Sequence, residues 1–183
     1  MEEKKSVWKE IYALLHDFCW ILAAVTVVFA FVIRIVSVSG PSMTPTLLDG
    51  ERVALVNSFL CGKYRQGEVI VATVPGYDPG KPIVKRVIAT EGQTVDIDFI
   101  AGTVTVDGEV LEEPYINELT HTDFANGLTY PLTVPEDCVF LMGDNRNHST
   151  DSRSAAIGCV ETKYILGKVI LRILPVNRIG TIQ

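Results

Sequence analysis

From Phe18 to Ile33 the chain runs Phe-Cys-Trp-Ile-Leu-Ala-Ala-Val-Thr-Val-Val-Phe-Ala-Phe-Val-Ile with no charged residue. No other feature restricts the fold so strongly. Together with the apolar approach from Ile11, this stretch is long enough as a helix to cross a bilayer core of ~30 Å. A core helix of a soluble protein would carry a polar stripe, and here only Thr26 interrupts. A cleavable signal peptide is the other alternative, and Ser37 and Ser39 form a small-x-small pair that would suit a cut. Against it, the run exceeds the roughly 7–15 residues of such a segment, and cutting there would leave a new N-terminus just before Ser42. The expected organisation is a cytoplasmic tail (1–10), one transmembrane helix (11–34) and an extracytoplasmic domain (35–183). Lys4, Lys5 and Lys9 precede the span and Arg34 and Arg52 follow it, a modest bias toward a cytoplasmic N-terminus.

Charge narrows the partners. The net charge is -6 over 183 residues. Lys4, Lys5, Lys9 and Arg34 balance Glu2, Glu3, Glu10 and Asp17, so the excess belongs to the domain after the span. An acidic domain is a poor nucleic-acid binder, and there is no polybasic stripe to hold its body on anionic lipid. Cys19 lies in the span, and Cys61, Cys138 and Cys159 lie beyond it. Their spacings match no zinc pattern, so the expectation is no metal, no cofactor and one optional disulfide at most.

After the span, short runs rich in Val, Ile and Thr alternate with Gly, Pro and Asp, which is the pattern of strands and turns. Strands are expected at Ile35 to Val38, Arg52 to Asn57, Glu68 to Thr73, Pro82 to Thr90, Thr94 to Ile97, Thr103 to Val106, Cys138 to Met142 and Lys168 to Ile173. Turns fall at Asp49-Gly50, Pro75-Gly76, Pro79-Gly80 and Asp107-Gly108, the last closing a hairpin. The fold class is mainly β, with coiled antiparallel sheets or a partly closed barrel in a single domain.

Three segments could carry chemistry. In Ser39-Gly40-Pro41-Ser42-Met43-Thr44-Pro45-Thr46-Leu47, a serine between two prolines and near a glycine sits on restricted, approachable backbone, which suits a nucleophile and equally a surface turn. His16 would lie at the cytoplasmic end of the span, and His121 and His148 sit in polar surroundings, so lysine is the better base. Ile83-Val84-Lys85-Arg86-Val87-Ile88 puts two cations in an apolar strand, facing opposite ways. If one is buried, desolvation lowers its pKa from ~10.4 toward neutrality; the bland alternative is that both reach the sheet edge. Met142-Gly143-Asp144-Asn145-Arg146-Asn147-His148-Ser149-Thr150-Asp151-Ser152-Arg153 follows an apolar strand and is dense in directed hydrogen-bonding groups. Such a loop could orient a serine and a neutral lysine.

These three segments resemble the signature segments of bacterial type I signal peptidases, and the small domain is similar to the Gram-positive-like members. The similarity extends through Gly67-Glu68-Val69-Ile70-Val71, Glu113-Pro114-Tyr115-Ile116 and Pro175-Val176-Asn177-Arg178-Ile179-Gly180. The resemblance implies a Ser/Lys dyad in which Ser42 attacks and Lys85 takes its proton. Ser149 would hydrogen-bond the lysine. Asp144, Arg146, Asp151 and Arg153 would brace the site through ion pairs that include Arg86. The Ser42 backbone N–H would serve the oxyanion. Gly40 stands where some members carry a serine as second donor, so that donor is not named.

The resemblance also implies a single-pass plasma-membrane enzyme that cuts preprotein signal peptides at the outer face, beside the lipid bilayer and the secretion translocon. Val36, Val38, Met43 and Val84 are expected to line a shallow apolar trough that takes an extended peptide with small side chains at alternate positions; core packing is the alternative for each. Two other functions are weighed. A self-cleaving Ser/Lys protease of the SOS-repressor type would carry a DNA-binding domain in place of the span. A non-catalytic, membrane-tethered β domain would leave Ser42, Lys85 and Ser149 unexplained.

Overall fold

The computed structural model describes residues 2–78, 81–124 and 126–182, with side chains from Val7 onward. The expected Pro79-Gly80 turn and the side chains of Lys4 and Lys5 lie outside the described residues. The chain divides into two compact units, Met1–Arg34 and Ile35–Gln183.

The first unit is helix α1 (Glu2–Val27), continued by one π-helical turn (Val28–Val32). Val7–Val32 is long and apolar enough to cross a membrane. Its large apolar side chains, among them Trp8, Phe18, Trp20, Phe29 and Phe31, are exposed. Thr26, the polar interruption, donates its hydroxyl to Leu22 O at 2.7 Å, so the run leaves no hydroxyl proton unpaired there. Helical structure stops two residues short of Arg34, because Ile33 and Arg34 already belong to a strand.

From Ile33 onward the chain forms strands β1 (Ile33–Ser37), β2 (Arg52–Asn57), β3 (Val69–Ala72), β4 (Ile83–Thr90), β5 (Thr94–Asp98), β6 (Thr103–Val106), β7 (Glu109–Val110), β8 (Leu132–Thr133), β9 (Cys138–Met142), β10 (Val160–Glu161), β11 (Ile165–Leu174) and β12 (Gly180–Thr181). The larger sheet has the order β1-β2-β11-β3-β4-β9-β10, with β12 on β11; the smaller is β7-β6-β5-β8. Every register determined in them is antiparallel. The larger sheet curls, because β1 and β4, with three strands between them in the sheet, form two walls of one groove. At the bend of β11, Gly167 allows close packing: a Cβ there would lie 2.2 Å from Val56 O.

Two patterns of burial explain the layers. β3 and β9 are buried at every position, which their unbroken apolar sequences Val-Ile-Val-Ala and Cys-Val-Phe-Leu-Met require. In β5, buried Val95 and Ile97 alternate with exposed Asp96 and Asp98, so one face of the smaller sheet is wet. The buried face packs with Ile88 of β4 and Phe140 and Met142 of β9. Asp107 and Gly108, both at positive φ, close the expected hairpin between β6 and β7.

Candidate active site

The loop between β1 and β2 carries Ser42. Its neck is tied by Val38 N to Glu51 O (2.8 Å) and Gly50 N to Val38 O (3.0 Å). Gly40 adopts φ +86°, a conformation costly for other residues, and its N–H donates to Asp49 Oδ1 at 2.8 Å. Met43 and Leu47 are fully buried and root the loop in the core. Asn145 holds the loop from outside through its N–H to Ser42 O (3.0 Å) and its Nδ2 to Pro41 O (3.1 Å).

Lys85 lies on β4 opposite Ile70. Its Nζ donates to Ser42 Oγ at 2.8 Å and to Val84 O at 3.1 Å. The residue is 4% exposed. Among the described residues no carboxylate forms a salt bridge with it. Burial pushes the Lys85 amine down from 10.5 to about 8, against the pull of Asp151 and Asp144 and with some help from Arg153. From about pH 8 upward much of that amine is neutral and can accept a proton, and the hydroxyl it touches is the nearest source of one.

Arg86 leaves β4 on the other face. It makes a bidentate pair with Asp144, Nε to Oδ1 at 2.8 Å and Nη2 to Oδ2 at 2.7 Å, and donates to Gly67 O at 2.7 Å. Tyr115 stacks on its guanidinium, 3.9 Å from ring centre to Cζ. Arg153 pairs bidentately with Asp151 at 2.8 and 2.9 Å, and Gly143 N donates to the same carboxylate at 2.9 Å. Arg146 pairs with Glu113, Nη1 to Oε2 at 2.9 Å with a second contact from Nη2 to Oε1. Thr46 donates to Asp144, which links this cluster to the loop of Ser42. Asp144, Arg146, Asp151, Arg153 and Arg86 are therefore brought together, all buried.

Two sequence expectations need correction. Ser149 does not bond Lys85: its Oγ is buried without a partner, turned toward Gly143, where a Cβ would come within 2.2 Å of it. The Lys85 bonds go to Ser42 and Val84 instead. Met43 does not line the trough. Residues 41–47 form turns, with Thr44 N bonded to Pro41 O and Leu47 N to Met43 O, and Met43, although next to Ser42 in sequence, is buried in the core with Leu47. Val36, Val38 and Val84 do line a groove of about 360 Å³ that also contains Ser42, Lys85 and Thr150. Glu113, Tyr115 and Thr46 were not singled out from sequence. Glu113 and Tyr115 stand in the resembling Glu113-Pro114-Tyr115-Ile116 segment, the one available signal. The four cysteines are free.

A curled antiparallel sheet with a groove, and a serine hydroxyl against a buried amine in its wall, defines a mainly β protein with a candidate nucleophile facing open space. The family described as "Signal peptidase, peptidase S26" matches residues 11–174. The chain is 37% identical over 146 residues to the "Probable signal peptidase I-1" of Synechocystis sp., covering 76% of this chain and 70% of that protein. It is 33% identical over 174 residues to signal peptidase I of Bacillus licheniformis, covering 88% and 91% respectively. A crystal structure of a signal peptidase I from Enterococcus faecalis V583 is 31% identical and aligns with a TM-score of 0.47 over 58% of this chain and 96% of that one. This chain belongs to the peptidase S26 family of signal peptidases and is a protease of the signal peptidase I type. Its N-terminal apolar helix fits a membrane anchor.

Proposed function

We propose that the protein removes signal peptides from secretory preproteins with Ser42 as nucleophile and Lys85 as its base. The observation that carries this reading is the 2.8 Å contact between a buried, unpaired amine and the Ser42 hydroxyl. Neutral Lys85 takes the hydroxyl proton as Ser42 Oγ attacks the scissile carbonyl. The Ser42 N–H donates to the developing oxyanion. As the C–N bond breaks, the protonated lysine returns its proton to the leaving amine. The same amine then draws a proton from the water that hydrolyses the acyl-enzyme.

The substrate enters as an extended strand between β1 and the first residues of β4, Ile83 to Lys85, which among the described residues pair with β3 alone. Backbone pairing would hold it, and Val36, Val38 and Val84 leave room only for small side chains at alternate positions. In the sequence, Lys4, Lys5 and Lys9 before the span outnumber Arg34 and Arg52 after it, which favours an N-terminus in the cytoplasm, with residues 1–10 as tail, 11–34 as span and 35–183 outside. The site then works at the outer surface of the plasma membrane, where a preprotein delivered by the translocon has its apolar segment in the bilayer. The test is incubation of detergent-solubilised protein with a labelled preprotein, comparing wild type with Ser42→Ala and Lys85→Ala. Cleavage by wild type alone is expected; processing retained in either variant removes the dyad.

A further inference from the structure

The buried cluster behind Lys85 is balanced by a residue from far along the chain. Its cations are Arg86, Arg146 and Arg153, each at most 1% exposed. The 143–153 loop supplies only two carboxylates, Asp144 and Asp151, and these are fully engaged by Arg86 and Arg153. The third comes from Glu113, on the segment that follows β7 and leads away from the smaller sheet. Tyr115 on the same segment covers Arg86, and its Oη bonds Glu113 Oε1 at 3.2 Å. Thr120, fully buried, accepts from Arg146 Nη1 at 2.9 Å. Asn147 fastens the segment again, accepting from His121 N (3.0 Å) and Thr122 N (3.1 Å) through Oδ1. The strap 113–122 therefore wraps the loop that carries Asn145, the residue that pins Ser42.

Resting on the Ser42–Lys85 reading, we propose that Glu113 and Tyr115 are positioning residues of the catalytic site, supplying the third carboxylate and the aromatic cover that keep the arginine cluster neutral and in place. Neutrality matters because three cations already match three anions, so no carboxylate of the cluster is left over to serve Lys85 as a counter-ion. The charged groups that act on Lys85 are Asp151 and Asp144, which favour its ammonium form, and Arg153, which opposes it. Arg153 Nη2 donates to Arg146 O at 2.6 Å, so the Arg146–Glu113 pair is built directly onto that set. Loss of the Glu113 charge strands a cation in the cluster and disfavours a second one at Lys85. Loss of the Arg146 charge strands an anion and favours it.

The test is the pH dependence of kcat/KM for preprotein cleavage by the full-length protein in detergent, in wild type, Glu113→Gln, Arg146→Gln and the double variant, each normalised to its folded fraction. Glu113→Gln should lower kcat about tenfold with little change in KM and move the activity midpoint to lower pH. Arg146→Gln should move it to higher pH, and the double variant should return it to the wild-type value. Midpoints unchanged in both single variants, with losses that follow folded fraction alone, overturn the proposal. If neither single variant folds, the electrically balanced double variant must be the more stable; equal instability also overturns it. A wild-type profile with no rise around pH 8 would instead sink the dyad on which the proposal rests.

Discussion

Lys85 and Arg86 leave β4 on opposite faces, and the two regions they enter are built on contrary principles. On the Arg86 side every cation has its own carboxylate, held bidentately, with remaining donors spent on Gly67 O, Thr120 and Gly143 O. On the groove side valines share the lining with serines and, farther along, with Asp78 and Lys81, which pair with each other, and the lysine bonds a hydroxyl and one carbonyl. Burial is almost the same, 4% exposure against 0%. What separates them is the counter-ion together with the group itself. A guanidinium keeps its proton and, matched, braces three segments; an unmatched buried amine lowers its cost by giving up its proton and is then a base.

The comparison breaks most severely if the unmatched site is given a cation that cannot neutralise. Lys85→Arg should abolish preprotein cleavage as completely as Lys85→Ala, a loss on the order of 10³-fold or more, because a guanidinium keeps its proton. Single-turnover assays at enzyme excess would measure it. Residual activity rising with pH in the arginine variant would mean that the base lies elsewhere.

The matched side should fail in stability. Asp144→Asn leaves Arg86 buried without a carboxylate, and removing one partner of such a pair costs about 3–5 kcal/mol. Denaturant unfolding of the variant measures this, and a loss below about 1 kcal/mol would show that the pair is solvated.

Lys85 itself makes the folded state depend on pH, with a sign opposite to that of a salt-bridged lysine. Its folded value, about 8, lies below the ordinary 10.5. Below pH 8 both states hold the proton and the fold bears the full cost of a buried ammonium. Between these values the unfolded chain binds more protons, so stability rises with pH and levels off above 10.5, by about 3 kcal/mol in all. The difference in unfolding free energy between wild type and Lys85→Met, measured from pH 7 to 11, should show this rise; a flat difference means the amine is wet.

The two sides were not equally legible in the sequence. Long strands such as β4 and β9 announce themselves by apolar runs, whereas β8, β10 and β12 have two residues each, too few for any period to register. Ser42 and Lys85 could be named from local motifs. Their contact depends on the curl that brings β1 round to β4, which no local pattern encodes. Met43 stands beside Ser42 in sequence and so is expected to flank the dyad, but the turn sends its side chain into the core. Glu113 was passed over because a surface-type residue in a proline-containing segment gives no hint that a buried arginine waits for it. Its partner is fixed by tertiary packing alone.

The smallest effect is expected at Ser149, and a neighbouring serine supplies its reference. Ser152 Oγ, fully buried, accepts from Leu141 N at 2.9 Å, so Ser152→Ala strands a strand N–H and should cost about 1–3 kcal/mol. Ser149 Oγ is equally enclosed but has no partner, so its desolvation is uncompensated already. Ser149→Ala removes that group and leaves no donor behind. Its unfolding free energy should fall within about 0.5 kcal/mol of wild type or exceed it. If Ser149→Ala loses as much as Ser152→Ala, the hydroxyl has a partner in solution, and Lys85 Nζ on the groove side is the donor to examine first, since that bond would give the unmatched cation a second hydroxyl.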